Sequence, residues 1–208
     1  MKLTRRQVFE MTAAAGALAL TPRMAFAAKG AEPMKDAAGL YTQPWFLQSF
    51  LELKDDLEEA ASAGKNFAVL WEQRGCPYCR ELHAVNFTDP QVAEFIKANF
   101  TILQFDIHGP RKVTDFDGTV MSEKELAQRW RISFTPTLCF FSTDPASVAG
   151  KSGGDAEVAR MPGYFKPFHF HTMFAYVRGE HYKSKQFQAY LKERADKMRA
   201  EGKSVVLW

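Results

Sequence analysis

The sequence predicts an α/β fold, a central mixed sheet flanked by helices, with an extra helix ahead of it and helices after it. Short apolar runs alternate with stretches of helical spacing, in the order strand, helix, strand, helix, then strand, strand, helix. A chain of 208 residues that is 46% hydrophobic and 13% aromatic has the side chains for one core and the size of one domain. Charged residues at 25%, with Gly 13 and Pro 10, exclude a disordered or collagen-like chain. Internal repeats are absent from the sequence.

Residues 1–27 read as an export leader. Arg5 and Arg6 precede an Ala-rich apolar stretch, 11–20, of ten residues. A membrane-spanning helix needs about 20, so this stretch is too short to serve as an anchor. Ala25, Phe26 and Ala27 give the small-x-small pattern that signal peptidase accepts, which places the mature start near Ala28. The arginine pair is similar to a twin-arginine signal, although Val8 and Glu10 depart from its usual Phe and Lys; a general secretory signal is the alternative. Both readings lead out of a bacterial cytoplasm, most simply to the periplasm. The leader carries Lys2, Arg5, Arg6 and Arg23 against Glu10, so it accounts for the whole formal charge of +3. The remainder is balanced, and nucleic acid or an anionic membrane surface is not expected as a partner.

Residues 28–44, with Gly30, Pro33 and Gly39, read as a flexible lead-in, and 45–200 as the folded domain. From Trp45 the positions Phe46, Leu47, Phe50, Leu51 and Leu57 follow helical spacing, with Gly64 as terminator. The apolar run 67–71 is typical of a strand buried on both faces. A helix is expected from Cys76 to about Val85, and another from Thr88-Asp89-Pro90, a cap followed by a first-turn proline, towards Asn99. Residues 101–107 form the next strand and 108–121 a loop containing Asp117-Gly118. Ser122 and Glu125 make a capping box for a helix to about Trp130. Residues 137–141 read as a strand, 142–155 as a hairpin-like connection and 156–161 as its partner strand. Residues 166–177 and 185–198 are the terminal helices, and 201–208 a tail.

The chemistry is concentrated at Cys76-Pro77-Tyr78-Cys79, between a buried strand and a helix. Unpaired backbone N–H groups and the helix dipole at that position favour a Cys76 thiolate. Pro77 suits the first turn, where its missing N–H would find no partner. Cys79 follows one turn later on the same face, within reach of a disulfide to Cys76. The expected reaction is thiol–disulfide exchange: Cys76 attacks a partner disulfide and Cys79 resolves the mixed disulfide. Half a zinc site is one alternative, but the only other cysteine, Cys139, reads as an inert core thiol on a strand. A static disulfide is another, but a bridge over two residues closes too small a loop to stabilise much. Downstream, Phe134-Thr135-Pro136-Thr137 places a proline just ahead of a strand, where a tight turn with a cis bond fits. Such a loop can lie opposite the cysteine pair and offer the Thr135 backbone to a partner segment as an added strand; an ordinary strand-entry proline is the alternative, and the cysteine pair some sixty residues upstream favours the functional reading.

These motifs together resemble the thioredoxins, and more closely the SoxW-type periplasmic thioredoxins. The resemblance rests on residues 72–79, Glu81-Leu82-His83, 114–118, 122–127, 134–137 and 159–164, and covers roughly 60 to 180. It implies a thioredoxin fold, with Cys76 as nucleophile, Cys79 as resolving thiol and Pro136 as the cis-proline. It also implies that the protein keeps exported, disulfide-containing partners reduced, in the setting of sulfur-compound oxidation, with electrons from a membrane thiol transporter. Pro77, Tyr78, Thr135 and Pro136 are the expected partner-binding set. No cofactor or metal is expected, and the chain is expected to be a monomer. Ordinary thioredoxins bury an Asp on the strand before the cysteines; here that position is Leu70, and Glu72 lies two residues on, on the same strand face. Glu72 is therefore the candidate proton relay for Cys79, against the alternative of a partly exposed carboxylate at the strand end. Pro77-Tyr78 with Thr135 is a choice shared with glutaredoxins and some disulfide isomerases, which leaves the redox poise open.

His169 and His171 flank Phe170 but point in different directions on a helix, so joint metal ligation is not expected and both read as surface or half-buried residues. Phe165, Phe168, Phe170, Phe174 and Tyr176 read as core and rim packing. The rival functions are a disulfide isomerase or oxidase of folding proteins, and a non-catalytic copper-binding or docking module.

Overall fold

The computed structural model describes residues 32–205. The leader reading of 1–27 and the end of the tail lie outside the described residues. The first helix, α1 (Leu53–Ser62), leads to β1 (Asn66–Glu72), α2 (Pro77–Glu81), a π-helical turn Leu82–Asn86 and α3 (Pro90–Asn99). Then come β2 (Phe100–Asp106), β3 (Lys112–Thr114), β4 (Val120–Ser122), α4 (Glu123–Arg129) and β5 (Thr137–Phe140). A 3₁₀ turn, Pro145–Val148, and α5 (Gly153–Ala156) precede β6 (Ala159–Pro162), α6 (Pro167–Arg178) and α7 (Phe187–Ala200).

The main sheet has the order β2-β1-β5-β6. β1 runs parallel to β2, with Asn66 opposite Phe100 and Glu72 opposite Asp106. β5 runs antiparallel to β1 and to β6. This is the mixed sheet that the sequence predicts. Because side chains alternate across a strand, the apolar run of β1 serves two cores at once. Phe67, Val69 and Trp71 pack on one face with α1 and α4, through Leu53, Leu57, Leu126 and Trp130. Ala68 and Leu70 pack on the other with Leu82, α3 and α6, through Val92, Ile96, Phe170 and Phe174. Phe170, Phe174 and Tyr176 are core residues and Phe165 lies at the rim, as expected. Phe168 is partly buried, as a rim residue would be.

Several elements depart from the sequence expectation. The first helix begins at Leu53, not Trp45. Leu51 takes the left-handed region, φ 67, and the Ser49 hydroxyl accepts its N–H at 2.6 Å, which stops the helical spacing from becoming a helix. Leu47 N–H instead donates to the Ile102 carbonyl at 2.8 Å, and Phe50 is fully exposed. The loop 108–121 contains a hairpin, β3 with β4, whose turn is closed by Asp115 N–H to the Thr119 carbonyl at 2.9 Å with Gly118 at φ 83. The connection 142–155 is not a hairpin but the 3₁₀ turn and α5, and β6 starts at Ala159. α5 lies close on Trp130, where a Cβ at Gly153 would enter the indole ring and one at Gly154 would press on the Trp130 Cα. The Asp89 cap and the Ser122–Glu125 capping box both form. Most important for the site, residues 32–43 are a folded hairpin and not a flexible lead-in; Lys35 and Tyr41 pair across it.

Candidate active site

β1 ends at Glu72, and Gly75, at φ 73, turns the chain into α2. Cys76 is the N-cap of that helix: its backbone is extended, and its Sγ accepts the Cys79 N–H at 3.0 Å. The one thiol that the sequence marks as nucleophile thus replaces the usual Ser or Asp oxygen in satisfying an unpaired helix N–H. Pro77 holds the first helical position. The helix expected over 76–85 is α2 followed by the π turn, which puts Leu82, His83 and Asn86 in the interior.

Cys76 and Cys79 are joined as a disulfide with Cα atoms 5.2 Å apart. The Thr135–Pro136 bond is cis, and this loop meets the cysteines. The Thr135 carbonyl oxygen lies 3.5 Å from Cys76 Sγ, and its hydroxyl donates to that sulfur at 3.4 Å. The Thr137 hydroxyl donates to the Phe134 carbonyl at 2.8 Å, and Gly163 N–H donates to the Pro136 carbonyl at 2.7 Å, which fixes the loop against β6. Tyr78, between the two cysteines in sequence, and Phe134, next to Thr135, are 62% and 66% exposed. The fold therefore brings Thr135, whose bond to Pro136 is cis, to the Cys76–Cys79 pair.

Glu72 is completely buried, so it is not the half-exposed strand-end carboxylate of the alternative reading. It shares a β1 face with Ala68 and Leu70, under the α2 side of the sheet. His83 Nε2 lies 3.2 Å from both carboxylate oxygens, and the Gln104 amide donates to one of them. Burial pushes the Glu72 carboxyl above its ordinary range, and the hydrogen bonds from His83 and Gln104 pull it back in part. His83 follows Cys79 by four residues, hence on the same helical face.

His83 and Gln104 are site residues that the sequence reading did not assign. The i, i+4 spacing from Cys79 was one available signal for His83. For Gln104 it was the polar residue amid an apolar strand. Cys139 is fully buried and burial pushes its thiol well up, as fits an inert core residue. His169, contrary to the surface reading, is buried between the rings of Phe165 and Phe187, while His171 meets Arg194 Nη2 at 2.9 Å. The two rings thus point apart.

The family described as Thioredoxin-like domain matches residues 53–178. A thioredoxin-fold protein from Helicobacter pylori is similar in structure, with a TM-score of 0.51 and 21% identity over 64% of this chain and 86% of that one. A thioredoxin from Thermus thermophilus gives a TM-score of 0.46 and 25% identity over 61% of this chain and 83% of that one. Comparison with curated proteins finds no match.

Proposed function

The chain belongs to the thioredoxin-like family and carries its disulfide-forming cysteine pair as a thiol–disulfide oxidoreductase, and from that premise we propose that it reduces disulfides of exported partner proteins. The observation that carries the reading is Cys76 at the helix start, with Cys79 N–H on its sulfur and Thr135 beside it. In the reduced protein the Cys79 N–H stabilises a Cys76 thiolate. That thiolate attacks one sulfur of the partner disulfide. The partner S–S bond breaks, a Cys76–partner disulfide forms, and the other partner sulfur leaves as a thiolate that takes a proton from solvent. Cys79 then loses its proton and attacks Cys76 Sγ. The Cys76–Cys79 bond forms, and the second partner sulfur leaves and is protonated. Two electrons have passed to the partner. Glu72 takes the Cys79 proton: burial raises its carboxyl above the ordinary range, and His83 Nε2, 3.2 Å away, holds it in place. Thr135 and Pro136 with Tyr78 and Phe134 receive the partner segment.

The leader features in 1–27 support export to the periplasm, by the twin-arginine or the general route, with cleavage near Ala27. The SoxW-type resemblance supports a place in sulfur-compound oxidation, with a membrane thiol transporter returning the electrons. The protein acts as a monomer without cofactor. The test is Cys79→Ala, which leaves the mixed disulfide unresolved, applied to periplasmic extracts. Covalent capture of sulfur-oxidation components is the expected result. Capture of many unrelated secreted proteins would replace the reading with a general folding catalyst, and no covalent partner at all would refute it.

A further inference from the structure

The hairpin of residues 32–43 lies against the sulfur pair. Asp36 closes it, its carboxylate accepting Leu40 N–H at 2.9 Å, and Thr42 N–H donates to the Met34 carbonyl at 2.9 Å. Its Tyr41 forms a buried cluster of its own with Cys76 and Cys79. With Tyr41 in place, Cys76 is 3% exposed and Cys79 1%.

The hairpin is held at two depths. On the inside, the Gln104 amide donates to the Tyr41 carbonyl, and the Gln43 amide meets His83 Nδ1 at 3.1 Å. The strap thus ends on the same polar network that holds Glu72. On the outside, the Glu32 carboxylate accepts the Tyr41 hydroxyl at 3.1 Å and pairs with Arg80, the residue after Cys79, at 2.9 Å. That outer pair is about half exposed on each side, the class of ion pair that holds only weakly. A segment with one aromatic plug and a weak latch is the kind that opens locally without unfolding the domain.

We propose that residues 32–43 are a strap that closes over the Cys76–Cys79 disulfide and limits how fast an external dithiol reduces it. The inference rests on the oxidoreductase reading above. In the step it limits, a donor thiolate attacks one sulfur of the pair. The Cys76–Cys79 bond breaks, a donor–protein disulfide forms, and the freed sulfur leaves as a thiolate and is protonated. The second donor thiol then displaces the protein sulfur, so that the donor ends as a disulfide and the pair as two thiols. Opening the strap exposes the sulfurs and withdraws Gln43 from His83.

The test uses the full oxidised chain with excess dithiothreitol, acid-quenched and labelled with a maleimide so that mass counts reduced cysteines. Tyr41→Ala removes the plug and is expected to speed reduction about ten-fold or more. Glu32→Gln removes the charge that pairs with Arg80 and weakens the bond to the Tyr41 hydroxyl, leaves the Tyr41 ring in place, and is expected to speed it about two- to five-fold, with the gain lost at high salt. Tyr41→Ala decides if circular dichroism shows it folded; otherwise Glu32→Gln decides. A deciding variant reduced at or below the wild-type rate overturns the strap. Partner capture plays no part in this measurement. Acceleration without any captured partner would leave the strap and remove the function, and capture without acceleration would do the reverse.

Discussion

Reduce the protein and replace Cys79 by alanine, and the backbone N–H at position 79 still points at Cys76 Sγ, 3.0 Å away in the oxidised protein. The variant therefore isolates what the helix start does to one thiol. A hydrogen bond to a charged acceptor contributes about 1.5–3 kcal/mol, and a helix N-terminus about 0.3–1 kcal/mol. α2 is only five residues before the π turn, so the dipole contribution belongs at its low end. Some 2 kcal/mol in favour of the thiolate raises the thiolate-to-thiol ratio about 30-fold. At pH 6.5 an ordinary cysteine is about 1% thiolate, so Cys76 should be roughly a quarter ionised. Thiolate ultraviolet absorbance reads this directly. Cys139 stays dark in the folded protein because burial pushes its thiol well up. The reference is a synthetic peptide of residues 72–80 with the same Cys79→Ala change. Equal absorbance per active-site thiol in protein and peptide at pH 6.5 would refute the capping argument, and the nucleophile assignment with it.

Glu72→Gln keeps a hydrogen-bonding side chain but cannot take a proton; release of the mixed disulfide at pH 7 should slow by about ten-fold or more and lose its pH dependence, measured by stopped-flow with a fluorescent disulfide. An unchanged pH profile would remove Glu72 from the mechanism. Asp56 is buried in the first turn of α1, and burial raises its carboxyl to about 6 against the Ser49 hydroxyl that lowers it. A carboxyl raised on folding contributes stability that is present below its unfolded value and lost as the pH rises through about 6. Asp56→Asn should therefore match wild type near pH 4 and exceed it by up to about 3 kcal/mol at pH 8, read from urea melts; the reverse trend would contradict the sign. Gly153→Ala would drive a Cβ into the Trp130 ring, which is fully buried. Overpacking of that kind costs about 1–3 kcal/mol and should lower Tm by roughly 2–12 °C in a thermal melt, without moving the Cys76 titration.

The parts of this fold that are legible in the sequence are those whose physics is local or periodic. β1 reads as a doubly buried strand because its apolar run has no polar interruption, and both helix caps read because the capping side chain is within three residues of the N–H it accepts. The cysteine pair and Pro136 read for the same reason: each is constrained by its own neighbours in the chain. The hairpin β3–β4 does not read, since three-residue strands carry too little alternation. Residues 32–43 do not read either. They are held by Tyr41 on the sulfurs and by bonds to Arg80, His83 and Gln104, all distant in sequence, so nothing within the segment's own composition distinguishes it from a loose linker. Glu72 is an intermediate case. The period of the strand puts it on the inner face, but its complete burial depends on His83 and Gln104 arriving from other elements.

The helix start that makes Cys76 reactive also works against a reductant, because whatever stabilises the thiolate stabilises the reduced pair and makes it more oxidising. The size of the effect decides the matter. At pH 7 a 30-fold gain in thiolate-to-thiol ratio only about doubles the statistical weight of the reduced state, since an ordinary thiol is mostly protonated there; that is worth roughly 10 mV. A gain of about 10,000-fold would be worth roughly 70 mV and would move the pair towards an oxidant of folding proteins. The structure supplies one backbone N–H and a Thr135 hydroxyl to the sulfur from a helix of five residues, and the buried Glu72 with its own partners lies beneath. A modest donor set of this kind raises reactivity far more than it changes the potential. Reduction of exported partners and a helix-capped nucleophile are therefore compatible in this chain, and they cease to be so only if the Cys76 thiol proves much more acidic than these two donors can make it.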